Sequence, residues 1–99
     1  MYRHGDVIIV AVDSIPTDAE PRPSAVLARG EATGHSHRIA DPSGVSLFSA
    51  GGGVGYLNVE SETATLIHDE HKPIRLPRGM YRFWLQREYT PQEIRRIVD

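Results

Sequence analysis

Length, composition and charge limit what this chain of 99 residues can be. Hydrophobic residues make up 39% of it and charged residues 24%, which argues against a disordered or fibrous chain and predicts a single domain over residues 1–99. The formal net charge of −2 argues against general nucleic-acid binding. The absence of cysteine excludes disulfides, thiolate zinc sites and a cysteine nucleophile.

The sequence also indicates where the protein is found. Its longest apolar run, Val7–Val12, has the length of a strand and falls short of the roughly 18 apolar residues of a membrane span. The N-terminus has neither the apolar core nor the cleavage site of a signal peptide. We therefore expect a soluble, cytoplasmic protein.

Short β-branched or alternating segments predict strands along most of the chain. The predicted strands are Val7–Val12, Ala25–Ala32, His35–Ala40, Val45–Ala50, Val54–Val59, Thr63–His68, Ile74–Leu76 and Met80–Glu88. Three prolines lie between the first two predicted strands and predict an exposed, extended loop there. They are Pro16, Pro21 and Pro23. Pro77-Arg78-Gly79 predicts a turn into the last strand, and alternation in that strand gives Tyr81, Phe83 and Leu85 one core-facing side.

The last ten residues predict a short helix over about residues 91–98. Thr90 is placed to cap it, Pro91 suits its first position, and Glu93 completes a capping box. Many short strands with a single terminal helix predict an all-β fold, a small antiparallel β-barrel or sandwich.

Four of the five histidines lie in two close pairs, His35 with His37 and His68 with His71. Residues two apart on a strand point to the same side, so the first pair can direct both rings at one point. The second pair follows a predicted strand and can approach the same point if the chain turns there. These four residues are the predicted metal ligands. His4 lies outside the two pairs and is given no role.

Histidine-rich sites suit transition metals better than calcium or magnesium, so the predicted cofactor is a divalent ion such as Zn, Fe, Ni or Mn. A site with an open coordination position can activate water or polarise a substrate, which points to a hydrolase or an oxidoreductase. In such an enzyme Glu70 is the candidate proton carrier and Arg82 the candidate anchor for an anionic group. The sequence indicates either a small-molecule substrate or one whose class it does not identify.

Two other functional classes use the same residues. In the first, the histidines form a metal-free pocket that transfers protons, as in a small ribonuclease, with arginine and tyrosine side chains that stabilise phosphate. Those side chains are Arg38, Arg82, Arg87, Tyr81 and Tyr89. In the second, Met80, Trp84 and the C-terminal helix form a protein-interaction surface, and the histidines are a structural or pH-sensitive cluster.

Two short motifs resemble landmarks of the cupin family of small β-barrels. His35-Ser36-His37, with Gly30 before it, resembles the family's H-x-H motif, and Pro77-Arg78-Gly79 resembles its later P-x-G turn. The resemblance implies a barrel that binds metal through histidines inside it, and often a homodimer. It covers about half of the chain and carries over only His35 and His37. Where cupins have a glutamate ligand this chain offers Asp41, and Arg82 stands in the place of the last histidine.

Overall fold

A computed structural model describes residues 1–29 and 35–86, and all elements bounded within these two ranges are β-strands. This confirms the predicted all-β antiparallel class. The predicted helix over residues 91–98 lies outside the described residues. The eight strands are β1 (Tyr2–His4), β2 (Val7–Val12), β3 (Glu20–Arg22), β4 (Val26–Arg29), β5 (Ser36–Ile39), β6 (Val45–Ser49), β7 (Val54–Ile67) and β8 (Ile74–Leu85).

The long hairpin of β7 and β8 is the central feature of the sheet. Each of its strands unites two strands that the sequence predicts as separate. Pairing runs from Val54 opposite Trp84 to Leu66 opposite Ile74. It shifts register between Val59 and Thr63, where β7 carries extra residues and the hairpin can bend. Pro77 lies beside this irregularity, which is where a strand tolerates a proline.

Two predictions about turns and loops are wrong. Pro77-Arg78-Gly79 does not turn the chain, because β8 continues through it and is paired on both sides of it with β7. The predicted loop around Pro21 contains the short strand β3, in which Pro21 lies opposite Phe48 of β6. The pairings described for β3 are with β6 alone, and a proline is tolerated in such an edge strand because no second neighbour needs its missing N–H.

The sheet is open. Its strand order is β1-β2-β8-β7-β5-β4, while β6 pairs with the first half of β7 and with β3. Across residues 1–29 and 35–86 no pairing joins β1 to β4, so these residues do not form a closed barrel, and the barrel form of the predicted barrel or sandwich is wrong. Side chains nevertheless connect one end of the strand order to the strand next to the other end, since His4 of β1 contacts His37 of β5.

Alternate residues of the strands form one apolar core. Ile9, Leu57, Leu66 and Leu76 are completely buried, and each contributes roughly 1.5–3 kcal/mol by leaving water. Tyr81 and Phe83 are buried as predicted, at 3% and 4% exposure. No helix within the described part of the chain is long and apolar enough to cross a membrane.

Candidate metal centre

Four histidines from three parts of the chain meet where β1 approaches β5. His4 ends β1, His37 lies on β5, and His68 and His71 lie in the loop between β7 and β8. The ring of His37 lies 4.3 Å from that of His68 and 5.6 Å from that of His71, measured between centroids. The ring of His4 lies 5.0 Å from that of His37. The sheet therefore brings both predicted pairs to one place, each through at least one member.

Three of these rings are placed to share an ion. One nitrogen each from His37, His68 and His71 lies within 4.8 Å of the other two. Three nitrogens that bind zinc at 2.0–2.1 Å in tetrahedral geometry are about 3.3 Å apart, so small side-chain rotations would close the site. His71 is exposed and His68 half-buried, which leaves both rings room to rotate, while His37 is 5% exposed.

Gly5 allows the turn between β1 and β2 to pack against the histidines. A Cβ atom at this position would lie 2.7 Å from Nε2 of His71 and 3.0 Å from Cε1 of His37. The residue also has a φ of +66°, which side chains disfavour. A glycine is thus required here both by the backbone and by the closeness of the two rings.

A chain of hydrogen bonds sets the orientation of His37. Nε2 of His4 lies 2.9 Å from the carbonyl oxygen of Lys72, and Nδ1 of His4 lies 2.9 Å from Nδ1 of His37. A carbonyl can only accept, so His4 carries its proton on Nε2 and, when neutral, accepts at Nδ1. His37 must then donate from Nδ1, which leaves the lone pair on its Nε2 for another partner.

Burial keeps both of these rings neutral. It lowers the pKa of His37 to about 4, and the nearby rings of His68, His4 and His71 add to this effect against the opposing charge of Asp6. The pKa of His4 is also lowered, first by burial and then by His71 and His68, while its bond to Lys72 opposes the shift. A neutral imidazole is the form that binds a metal, so His37 is ready to bind at neutral pH.

A carboxylate faces the free nitrogen of His37. Oδ1 of Asp6 lies 3.7 Å from Nε2 of His37, and the side chain of Asp6 is 41% exposed. Two ligands of one tetrahedral ion are about 3.4 Å apart, so a cation placed between these atoms would suit both. Asp6 therefore adds negative charge, and a possible oxygen ligand, on the open side of the group.

His68 has to change partners to bind an ion. Its Nδ1 accepts a hydrogen bond of 3.0 Å from the backbone N–H of Glu70, so the proton of the neutral ring is on Nε2. An ion on Nδ1 would replace this bond, and an ion on Nε2 would move the proton to Nδ1 and repel the N–H. The hydrogen bond from Glu70 must break in either case.

The structure places His35 beside the group of three histidines. Its Nε2 lies 3.5 Å from Oδ2 of Asp69 and its Nδ1 lies 3.7 Å from Oε2 of Glu70. Its ring centroid is 5.7 Å from that of His68. Asp69 also bonds the guanidinium of Arg38, at 3.3 Å. His35 and Glu70 thus border the candidate centre, and their predicted roles as ligand and proton carrier stay predictions.

Arg82 lies on a different face of the sheet. It alternates along β8 with the buried Tyr81 and Phe83, and its guanidinium packs 4.8 Å from the ring centroid of Trp84. Asp41, the carboxylate at the cupin glutamate position, accepts bonds from Ser43 in its own turn. The role of Arg82 as an anion anchor stays a prediction.

The sequence did not predict that His4 belongs to the candidate centre. It is 2% exposed and contacts the rings of His37, His68 and His71. Its only local signal is the Gly5-Asp6 pair that follows it, which indicates a tight turn between two strands. That signal predicts a hairpin but does not predict that the hairpin lies against β5.

A known protein family matches most of this chain. The profile of a domain of unknown function, DUF8820, matches residues 3–86. The chain belongs to the DUF8820 family. No curated protein and no solved structure matches it. The matched range of this DUF8820 domain includes all the histidines of the candidate centre and both ends of the open sheet.

Proposed function

We propose that this DUF8820 domain binds a divalent transition metal ion through His37, His68 and His71. The observation that carries the proposal is the set of three ring nitrogens within 4.8 Å of one another. Two further features support it, the neutral tautomer of His37 that leaves Nε2 free and the carboxylate of Asp6 that faces this atom. Imidazole ligands favour zinc, iron or nickel over calcium and magnesium.

Three protein ligands leave a coordination position for water or substrate, as in catalytic zinc sites. The loop that carries His71 is exposed, so this position would be open to solvent. An ion there would supply Lewis acidity or activate water, and Glu70 on the same loop would accept the proton. We therefore favour metal-dependent hydrolysis or oxidation over the metal-free alternative, because a buried His37 with a pKa of about 4 is a weak base at neutral pH.

Titration of untagged, chelator-treated protein with zinc tests the proposal. We expect saturable binding of one ion per chain, measured by calorimetry and by elemental analysis after gel filtration. The amide resonance of Glu70 should shift in the bound form, because its hydrogen bond to His68 must break. Binding that does not saturate, or a Glu70 resonance unchanged at saturation, would contradict the proposed ligand set.

His4 provides a graded test of the hydrogen-bond chain. Replacing His4 with phenylalanine keeps a ring in the buried site but removes both hydrogen bonds, so His37 is no longer held in the binding tautomer. Loss of such an outer partner weakens metal binding by about 10–100-fold, and we expect about tenfold here. Calorimetry with zinc gives the affinity. An unchanged affinity in a variant with wild-type thermal stability would show that the chain does not position His37.

A further inference from the structure

A cavity of about 300 Å³ has no histidine in its lining and is bordered by residues of β2, β3, β4, β6, β7 and β8. Its walls are mainly apolar, with Val7 of β2, Leu27 of β4 and Phe83 of β8 among them. Gly51, Gly53 and Gly55 form part of its wall, so backbone atoms line the cavity at these three positions. A cavity of this volume is at the lower end of the range for small-molecule sites.

Arg22 is the charged residue in the lining of this cavity. Its guanidinium lies 5.9 Å from the centroid of the Phe83 ring and donates one hydrogen bond, of 3.1 Å, to the carbonyl oxygen of Val26. Within residues 1–29 and 35–86 it has no carboxylate partner. Burial lowers the pKa of Arg22, although a guanidinium remains charged at neutral pH.

This arrangement leaves most of the guanidinium donors available to an anion. A partly buried cation loses hydration, and the single carbonyl it contacts uses one of its five N–H donors. The remaining donors can hold a carboxylate in the fork geometry that guanidinium provides. The apolar side chains that line the cavity with Arg22 can cover a hydrocarbon group. The lining therefore offers one positive charge and an apolar surface to the same ligand.

We propose that this cavity is a binding site for a small amphipathic carboxylate, with its head on Arg22 and its apolar body against Leu27, Val7 and Phe83. The site is separate from the histidine rings and needs no metal. Binding should therefore be the same in chelator-treated and zinc-loaded protein, which keeps failure of this proposal distinct from failure of the metal site.

Titration with octanoate, read by tryptophan fluorescence, tests the site directly. Trp84 is the single tryptophan of the chain and lines the cavity, so its emission reports on occupancy. We expect saturable binding of octanoate at millimolar concentrations or below. Octan-1-ol has the same apolar body without the charge and should bind at least about tenfold more weakly, since a charge-assisted bond is lost.

Three variants of the full chain complete the test. Arg22→Gln should weaken octanoate binding about tenfold, Arg22→Lys should weaken it less because it keeps the charge but loses the fork geometry, and Arg75→Gln should leave it unchanged. Arg75 is an exposed arginine of β8 that does not line the cavity. Equal binding of octanoate and octanol, equal effects of the Arg22→Gln and Arg75→Gln changes, or no saturable signal would each overturn the proposal. Dispersed amide spectra of each variant show that it is folded.

Discussion

Alanine at His37 is expected to reduce the affinity for zinc by more than about 100-fold, because loss of a ligand should exceed the effect of losing an outer partner. His37 is the buried member of the group, and the hydrogen-bond chain leaves the lone pair of its Nε2 available to an ion. His68→Ala and His71→Ala should lower the affinity as well. Competition with a chromogenic chelator measures all three variants on one scale.

His35→Ala is the matched control for this measurement. It removes the same side chain two residues away, from a ring that contacts Asp69 and Glu70 and lies outside the group of three nitrogens. We expect its affinity to fall about tenfold at most, as for an outer residue. Equal losses at His35 and His37 would instead support the four-histidine set that the sequence predicts, and no loss at His37 would rule out the proposed centre.

The local part of the fold could be predicted because it depends on short-range pattern. Val7–Val12 is a β-branched run and is a strand with those bounds, and alternation correctly placed Tyr81 and Phe83 in the core. The same local signals failed at Pro77-Arg78-Gly79. Proline and glycine favour a turn when only local sequence is considered. Here β7 has extra residues opposite them, so the register shifts and β8 continues as a strand.

The candidate centre was predictable only in part, for a related reason. The spacing of His35 and His37 indicates a shared side of a strand, but it does not tell which of them reaches a partner from another strand. That choice depends on where β1 lies, and β1 places His4 against His37 through contacts 33 residues apart in sequence. The barrel or sandwich was predicted from the number of short strands, whereas closure of a barrel depends on pairing between the ends of the strand order.

Metal-free protein is expected to lose stability as the pH falls from about 7 to about 5, by about 2 kcal/mol through His37 alone. The pKa of His37 is about 4 in the folded protein and near 6.5 in an unfolded chain, so the unfolded state binds more protons between these values. Acid therefore favours unfolding in this range. The charged and titratable groups that face His37 are His4, His68, His71 and Asp6, and of these Asp6 alone opposes the effect.

Urea unfolding at a series of pH values, in the presence of a chelator, measures this dependence. His37→Gln is the comparison variant, because glutamine can hydrogen-bond to His4 but does not titrate. The stability of this variant should fall less steeply than that of the wild type, and the remaining slope should reflect His4, whose pKa is also lowered. Parallel curves for the two proteins would mean that His37 takes up a proton in the fold as readily as in water. In that case burial would not hold the ring in the neutral form that a metal requires, and zinc would have to compete with protons at this nitrogen below about pH 6.5.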